Sequence, residues 1–234
     1  MKTVYKRILL KISGEVLAGE AGHGINFDTV LSICKAVKEI SKAGVQVGLV
    51  VGGGNFWRGR SSGKMDRSRA DHMGMLATVM NATALEDTFE QIGVEAVAMS
   101  ALPMEQFAET FTSAKAKKYL ESGKVVIFGC GTGNPFFTTD SGAALKAAEI
   151  EADILFKATN VDGVYDKDPN KFDDAVKFDT LTQAEILEKD LKVMDSTAAA
   201  LCKDNHIPIL VFNLNDPENI IRAVEGKNIG TIVK

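Results

Sequence analysis

The residues that could do chemistry are a lysine, an arginine and an aspartate, each set beside a glycine-rich turn. Lys11 sits near the end of the apolar run at residues 7–13, which stops at Gly14. Arg58 follows Gly52-Gly53-Gly54-Asn55, and Asp140 follows Gly129-Cys130-Gly131-Thr132-Gly133-Asn134-Pro135-Phe136-Phe137-Thr138-Thr139. Glycine lets a ligand approach the backbone closely, and rows of backbone N–H groups at such turns attract anions. Lysine adds a compact positive charge and arginine a planar fork that matches phosphate oxygens. Thr138, Thr139 and Asp140 add side-chain oxygens where a helix would begin, so an oxyanion or a sugar hydroxyl fits there. Taken singly, each feature has a plainer reading: Lys11 as a strand-end lysine snorkelling to solvent, and residues 125–140 as an ordinary capped strand-to-helix turn. Repetition of the turn shifts the balance towards ligand binding.

Strands alternating with helices must position these residues. Runs at residues 7–13, 45–51, 94–99, 125–128, 153–159, 208–212 and 231–233 read as strands. Helices are expected from Phe27 to near Gly44, from Asp71 onward with Met73, Leu76, Ala77, Met80, Leu85 and Phe89 on one side, and over residues 113–121. Further helices are expected from Ser141 to Ala152 and over residues 182–191, 195–205 and 217–225. Asp71 falls at the start of its helix as a cap or a ribose acceptor, and the methionines read as adaptable packing. Residues 19–24 hold three glycines and are expected to form a mobile loop; residues 160–169 are expected to form a loop or hairpin in which Tyr165 could stack on a flat base.

This alternation predicts an α/β fold, a three-layer αβα sandwich with a mainly parallel central sheet, formed by a single domain over residues 1–234. Ligands would bind along the carboxyl edge of the sheet, which gathers Lys11, residues 52–54, residues 129–134 and Thr159. Three phosphate-suited turns exceed what one mononucleotide needs, so a phosphoryl donor and an acceptor meeting at that edge are expected. No GxxxxGK[ST] run occurs, and Gly129-x-Gly131-x-x-Asn134 lacks the third glycine of GxGxxG, which speaks against a P-loop kinase and a dinucleotide-binding dehydrogenase.

The 234 residues carry 45% hydrophobic side chains, enough for a sizeable core, and a formal net charge of −4. That balance disfavours broad nucleic-acid attraction and leaves room for a small anionic ligand. Cys34, Cys130 and Cys202 form no CxxC pair, so neither a disulfide framework nor structural zinc is expected, and a reducing cytoplasm fits. The apolar run Ile8-Leu9-Leu10 is too short for a signal segment or a membrane span.

Five stretches together resemble one family: Lys11-Ile12-Ser13-Gly14-Glu15; Gly52-Gly53-Gly54-Asn55 with Arg58-Gly59; residues 71–81, Asp-His-Met-Gly-Met-Leu-Ala-Thr-Val-Met-Asn; residues 131–140; and Lys157-Ala158-Thr159. These are similar to the bacterial UMP kinases of the amino acid kinase fold, nearly end to end. The resemblance implies transfer of the γ-phosphoryl of ATP, carried with Mg²⁺, to UMP, giving UDP and ADP in pyrimidine nucleotide (CTP and UTP) biosynthesis. It also implies a cytoplasmic homohexamer, activated by GTP and inhibited by UTP, that requires neither nucleic acid nor membrane. By similarity, Lys11, Arg58 and Asp140 are catalytic: Lys11 neutralises the transferred phosphoryl, Arg58 grips phosphate oxygens and Asp140 orients Lys11. ATP would be surrounded by Lys11, Ile12, Ser13, Gly14, Gly54, Arg58, Thr159, Asn160, Tyr165 and Asp168. UMP would meet Gly53, Asp71, Thr132, Gly133, Asn134, Pro135, Phe136, Phe137, Thr138 and Thr139, with Asp71 on the ribose. Gly19, Glu20, Ala21, Gly22, His23 and Gly24 match the family's GTP-response segment. Asn160 stands where some members carry lysine, and His23 where an aromatic can occur. No protein-built metal cage is expected, Mg²⁺ being held by nucleotide phosphates and water. Two alternatives accompany this reading: another kinase of the same fold, acting on carbamate or N-acetylglutamate, and a non-catalytic nucleotide-sensing module, which would be expected to lose Lys11 or Asp140.

Overall fold

The computed structural model describes residues 1–58, 63–169, 171–189, 191 and 193–234. Gly59 of the Arg58-Gly59 pair and position 190 of the helix expected over 182–191 lie outside the described residues. In chain order the elements are β1 (Arg7–Ile12), α1 (Gly14–Leu17), a 3-10 turn (Gly19–Ala21), α2 (Phe27–Lys42), β2 (Gln46–Val51), α3 (Arg67–Gln91), β3 (Ala96–Ser100) and β4 (Glu109–Thr110). There follow α4 (Ser113–Glu121), β5 (Val125–Gly129), α5 (Thr139–Glu149), β6 (Ile154–Thr159), β7 (Val164–Tyr165), β8 (Lys177–Phe178) and β9 (Thr180–Leu181). The chain ends with α6 (Gln183–Glu188), α7 (Ser196–Asp204), β10 (Ile209–Asn213), α8 (Glu218–Val224) and β11 (Gly230–Val233).

Nine strands form one sheet in the order β4-β3-β5-β2-β1-β6-β10-β11-β9, and β7 and β8 form a separate antiparallel hairpin. Every pairing in the large sheet is parallel except β10 with β11. Because side chains alternate along a strand, each strand feeds two cores. Ile8, Leu10 and Ile12 of β1 and Ile154, Phe156 and Ala158 of β6 pack with α2, α3 and α8, where Phe156 meets Tyr5 and Phe212 edge to face. Leu9 and Leu155 face the opposite way, onto the Ala-rich faces of α5 and α7. Helices on both faces of a mainly parallel sheet give the expected three layers.

Several details depart from the sequence reading. Residues 19–24 are not a plain loop: Gly19–Ala21 form the 3-10 turn, and Gly24 is tied to Asn55 through two hydrogen bonds. Helix α3 begins at Arg67, capped by Asp66, whose Oδ1 accepts from the Arg69 N–H at 3.1 Å; Asp71 therefore lies within the helix and does not cap it. Nor do the apolar residues of α3 share one side. Ala77, Leu85 and Phe89 are buried, whereas Met73, Leu76 and Met80 are exposed, and of the methionines on this helix Met75 packs inward against Val79 and Cys130. All three cysteines are buried free thiols, and burial pushes those of Cys34 and Cys202 up to about 12. Among the described residues, no helix is long and apolar enough to cross a membrane.

Candidate active site

Strand β1 is flanked by β2 and β6, and chain crossovers on either side leave a crevice beyond their carboxyl ends, where open α/β sheets bind ligands. A cavity of about 730 Å³ occupies that place, lined among others by Lys11, Gly53, Gly54, Asp71, Asp140 and Lys157. The register pairs Lys11 directly with Lys157 across β1 and β6. Both lysines fall on the α5 face, one place along from Leu9 and Leu155, so strand geometry alone sets two ammonium groups side by side at the mouth of the crevice.

Helix α5 brings the counter-charge. Thr138 caps it, its Oγ1 accepting from the N–H groups of Asp140 at 3.1 Å and Ser141 at 3.2 Å. Ala143, Ala144 and Ala147 let the helix lie close on the sheet, and a Cβ on Gly142 would stand 3.5 Å from the Gly131 backbone. Asp140 consequently reaches both lysines. Lys157 Nζ donates to Asp140 Oδ2 at 2.6 Å and to the Val193 carbonyl at 2.6 Å. Lys11 Nζ pairs with Asp140 Oδ1 at 3.1 Å, and since an ammonium carries three N–H donors this contact leaves others available to another acceptor. Burial alone would raise the Asp140 carboxyl, but the adjacent Lys11 and Lys157 outweigh it and hold the group below the usual carboxylate range. Burial likewise pulls the Lys157 ammonium below the usual lysine range, with Asp140 offsetting only part of the effect. One carboxylate shared by two lysines leaves the centre electropositive and suited to phosphoryl oxygens.

The turn after β2 is shaped by close packing. A Cβ on Gly14 would sit 2.4 Å from the Gly52 carbonyl oxygen, and one on Gly53 would sit 2.6 Å from that of Gly74. These glycines are needed for backbone approach, and none of residues 52–54 requires a positive φ. Among the described residues, no acceptor pairs with the N–H of Gly53 or Gly54. In the turn after β5, by contrast, Cys130 (φ 65°), Gly131 (56°), Gly133 (81°) and Phe136 (71°) all take the left-handed region, strain that recurs at ligand-binding turns.

Of the expected phosphate-edge and acceptor residues, Lys11, Gly53, Gly54, Arg58, Asp71, Thr132, Asn134, Phe137, Thr138, Thr139 and Asp140 line the cavity together. Gly133, Pro135 and Phe136 belong to the same loop without lining it, and Ile12, Ser13 and Gly14 lie just behind Lys11. Asp71 is already engaged: its carboxylate accepts from Arg67 Nε at 2.8 and 3.0 Å and from the Phe136 N–H at 2.8 Å. Arg58 pairs with Glu15 at 2.5 Å, both side chains more than half exposed, within the same cavity lining. Thr159, the last residue of β6, and Asn160, Tyr165 and Asp168 beyond it fall outside the cavity lining, and the Tyr165 hydroxyl donates to Asp162 at 2.5 Å. Residues 19–24 are also outside it.

Sequence reasoning missed Lys157 and Asp195 as site residues. Asp195 caps α7 through the Ala198 N–H at 2.9 Å and also accepts from the hydroxyls of Thr138 and Ser141, fastening α7 to the start of α5. The signal for Lys157 was its place near the end of an apolar strand, the same signal that singled out Lys11.

Comparison with known proteins agrees with this geometry. The UMP kinase from Ureaplasma parvum is 41% identical, with a TM-score of 0.94 and all of both chains covered. The UMP kinase from Bacillus anthracis is 33% identical, with a TM-score of 0.95 over 98% of this chain and 96% of the other. The uridylate kinase from Archaeoglobus fulgidus is 30% identical, with a TM-score of 0.73 over 97% and 99%. Residues 6–213 match the amino acid kinase family as a sequence family. With that match covering most of its length and the fold shared with these structures, the chain belongs to the amino acid kinase family.

Proposed function

We propose that the protein transfers the γ-phosphoryl group of ATP to the phosphate of UMP, giving ADP and UDP. The observation that carries this reading is the Lys11–Asp140–Lys157 centre at the floor of a cavity whose other wall is the loop at 131–139 with Asp71. Full-length similarity to proteins described as UMP kinases supports the choice of acceptor.

An oxygen of the UMP phosphate attacks the γ-phosphorus; that P–O bond forms as the bond from γ-phosphorus to the β–γ bridging oxygen breaks, and ADP departs with the electron pair. Such a transfer is governed by positioning and by neutralisation of charge on the equatorial oxygens. Lys11, with N–H groups not committed to Asp140, meets the moving phosphoryl. Asp140 holds Lys11 and Lys157 at one spacing, and Lys157 fixes the Val193 carbonyl beside them. The N–H groups of Gly53 and Gly54 and the guanidinium of Arg58 face the remaining phosphate oxygens. Asp71 accepts from the ribose, with Phe137 near the base and the backbone N–H of Phe136 supporting Asp71. Thr159, Asn160, Tyr165 and Asp168 take the adenosine end of ATP on the other side of the lysines.

Mg²⁺ enters as part of the nucleotide substrate. The donor set at the centre, two ammonium groups sharing one carboxylate, fits phosphate oxygens and not a cation, and among the described residues no group of three His, Cys, Asp or Glu side chains is placed to hold a metal. The unbroken run of the sheet supports reading residues 1–234 as one catalytic unit. A homohexameric cytoplasmic enzyme of pyrimidine nucleotide synthesis, responsive to GTP through residues 19–24 and to UTP, completes the reading by family resemblance.

The test is ADP release with ATP and Mg²⁺ and, separately, UMP, CMP, AMP, dTMP, carbamate and N-acetylglutamate. Turnover with UMP alone is expected. Turnover with carbamate or N-acetylglutamate would overturn the acceptor assignment, and binding of UMP without turnover of any acceptor would make the protein a nucleotide sensor.

A further inference from the structure

Two asparagines that no part of the proposed reaction uses are buried together beneath the phosphate turn. Asn55 is 2% exposed and Asn81, in the middle of α3, is 0% exposed. Their amides pair reciprocally: Asn55 Nδ2 donates to Asn81 Oδ1 at 2.9 Å, and Asn81 Nδ2 donates to Asn55 Oδ1 at 2.8 Å. Each uses its remaining capacity on backbone. Asn81 Nδ2 also donates to the Gly52 carbonyl at 2.8 Å, and Asn55 Nδ2 to the Gly24 carbonyl at 2.7 Å. The Gly24 N–H returns a bond to the Asn55 carbonyl at 2.9 Å. Asn55 Oδ1 and the Gly52 carbonyl are also the atoms against which Gly14 packs, so the pair sets the gap between the end of β1 and the turn after β2.

A buried polar pair with both amides satisfied is retained at a desolvation cost and defines one arrangement sharply. This one joins three separate segments, the turn at 52–54, α3 and the loop ending at Gly24, at a point adjoining the catalytic cavity. We infer that Asn81 is a positioning residue for the phosphate turn, and that the Asn55–Asn81 pair is the link through which the loop at 19–24 and the turn at 52–54 hold a common position. Displacing that loop then moves Asn55, and with it the row of N–H groups at Gly53 and Gly54. The inference deepens the proposed reaction and rests on it for the identity of the phosphates bound.

Asn81→Asp tests it, because the side chain keeps its shape and loses both donated bonds. Amide hydrogen exchange, which needs no substrate, is expected to show faster exchange at Gly24, whose N–H bonds the Asn55 carbonyl, together with Gly52, Phe56 and Trp57, whose N–H groups bond the Ile12 and Gly53 carbonyls around the turn, while β1 and β6 stay protected. In steady-state kinetics the half-saturation for nucleotide phosphates should rise about tenfold, with a smaller change in kcat. Thr88→Val serves as a control for general destabilisation: Thr88 is buried on the same helix, seven residues beyond Asn81, and among the described residues its hydroxyl bonds the Ala84 carbonyl at 2.8 Å and no atom of the turn, so its half-saturations should stay at the wild-type values. If the turn loosens in Asn81→Asp while Gly24 keeps its protection, the link to the loop is refuted. Unchanged half-saturations, or an equal rise in Thr88→Val, would refute the positioning role. Coupled exchange in a protein that fails to phosphorylate UMP would uphold the link and overturn only the reaction assigned to the site.

Discussion

The charge centre and the acceptor rim lie in one cavity but are built differently. Lys11, Asp140 and Lys157 have side chains 12%, 15% and 15% exposed, and their spacing follows from the register of two central strands and the cap of one helix. At the rim, Asp71 has a side chain only 14% exposed, but its partners are not: it is held by Arg67, whose side chain is 43% exposed, and by the N–H of Phe136, a residue in a left-handed turn that is 64% exposed. A centre fixed by strand register stays put while charge develops, as transition-state stabilisation requires. A rim made of a helix terminus and a strained loop can exchange its contacts with an incoming nucleoside. The difference teaches where to look for each kinetic effect: kcat at the centre, half-saturation at the rim.

The largest effect should come from Asp140→Asn. Without the carboxylate, Lys11 and Lys157 repel each other, and kcat should fall roughly 100- to 1,000-fold while the UMP half-saturation changes little. A loss expressed mainly in UMP affinity would erase the contrast between the two regions. At the rim, Asp71→Asn should raise the UMP half-saturation about tenfold and leave that for ATP unchanged, read from initial rates with each substrate varied in turn. An equal effect on both nucleotides would mean that Asp71 supports the whole cavity. The smallest effect concerns acid stability. Because Asp140 titrates below its ordinary value of 3.8, its ionised form stabilises the fold above that pH, and the contribution disappears as the pH falls below 3.8 through the folded-state value. Thermal melts of wild type and Asp140→Asn should therefore differ most above that pH and converge below it; a gap that stays constant would deny the carboxylate its ion pairs.

The layers of the fold were legible because apolar runs of strand length alternate with helical periodicity, and the edge holding the site followed from where those strands end. Lys11 and Asp140 could be read for that reason, since each sits where a strand or a helix meets a turn. Lys157 carried the same strand-end signal but gained its meaning from pairing with Lys11, a contact between distant segments that no local pattern records. Asn81 closes one of the stretches that carry the family resemblance, but its burial left no local signal, as a polar residue inside a helix looks like surface until its partners are known. The start of α3 was misplaced because Arg67, Ser68 and Arg69 precede any apolar periodicity, so Asp71 took the capping role that belongs to Asp66. Residues 19–24 read as loop because their glycine content hides a turn as short as Gly19–Ala21.

The central claim is that Lys11 acts on the phosphoryl in flight and not on the resting acceptor. Its most direct test is the Lys11→Ala variant, with UMP binding measured by titration calorimetry alongside turnover with ATP and Mg²⁺. The account predicts UMP affinity within about twofold of wild type and turnover reduced by a factor on the order of 100 or more. Parallel loss of UMP affinity and turnover would contradict it and make Lys11 a ground-state ligand of the acceptor.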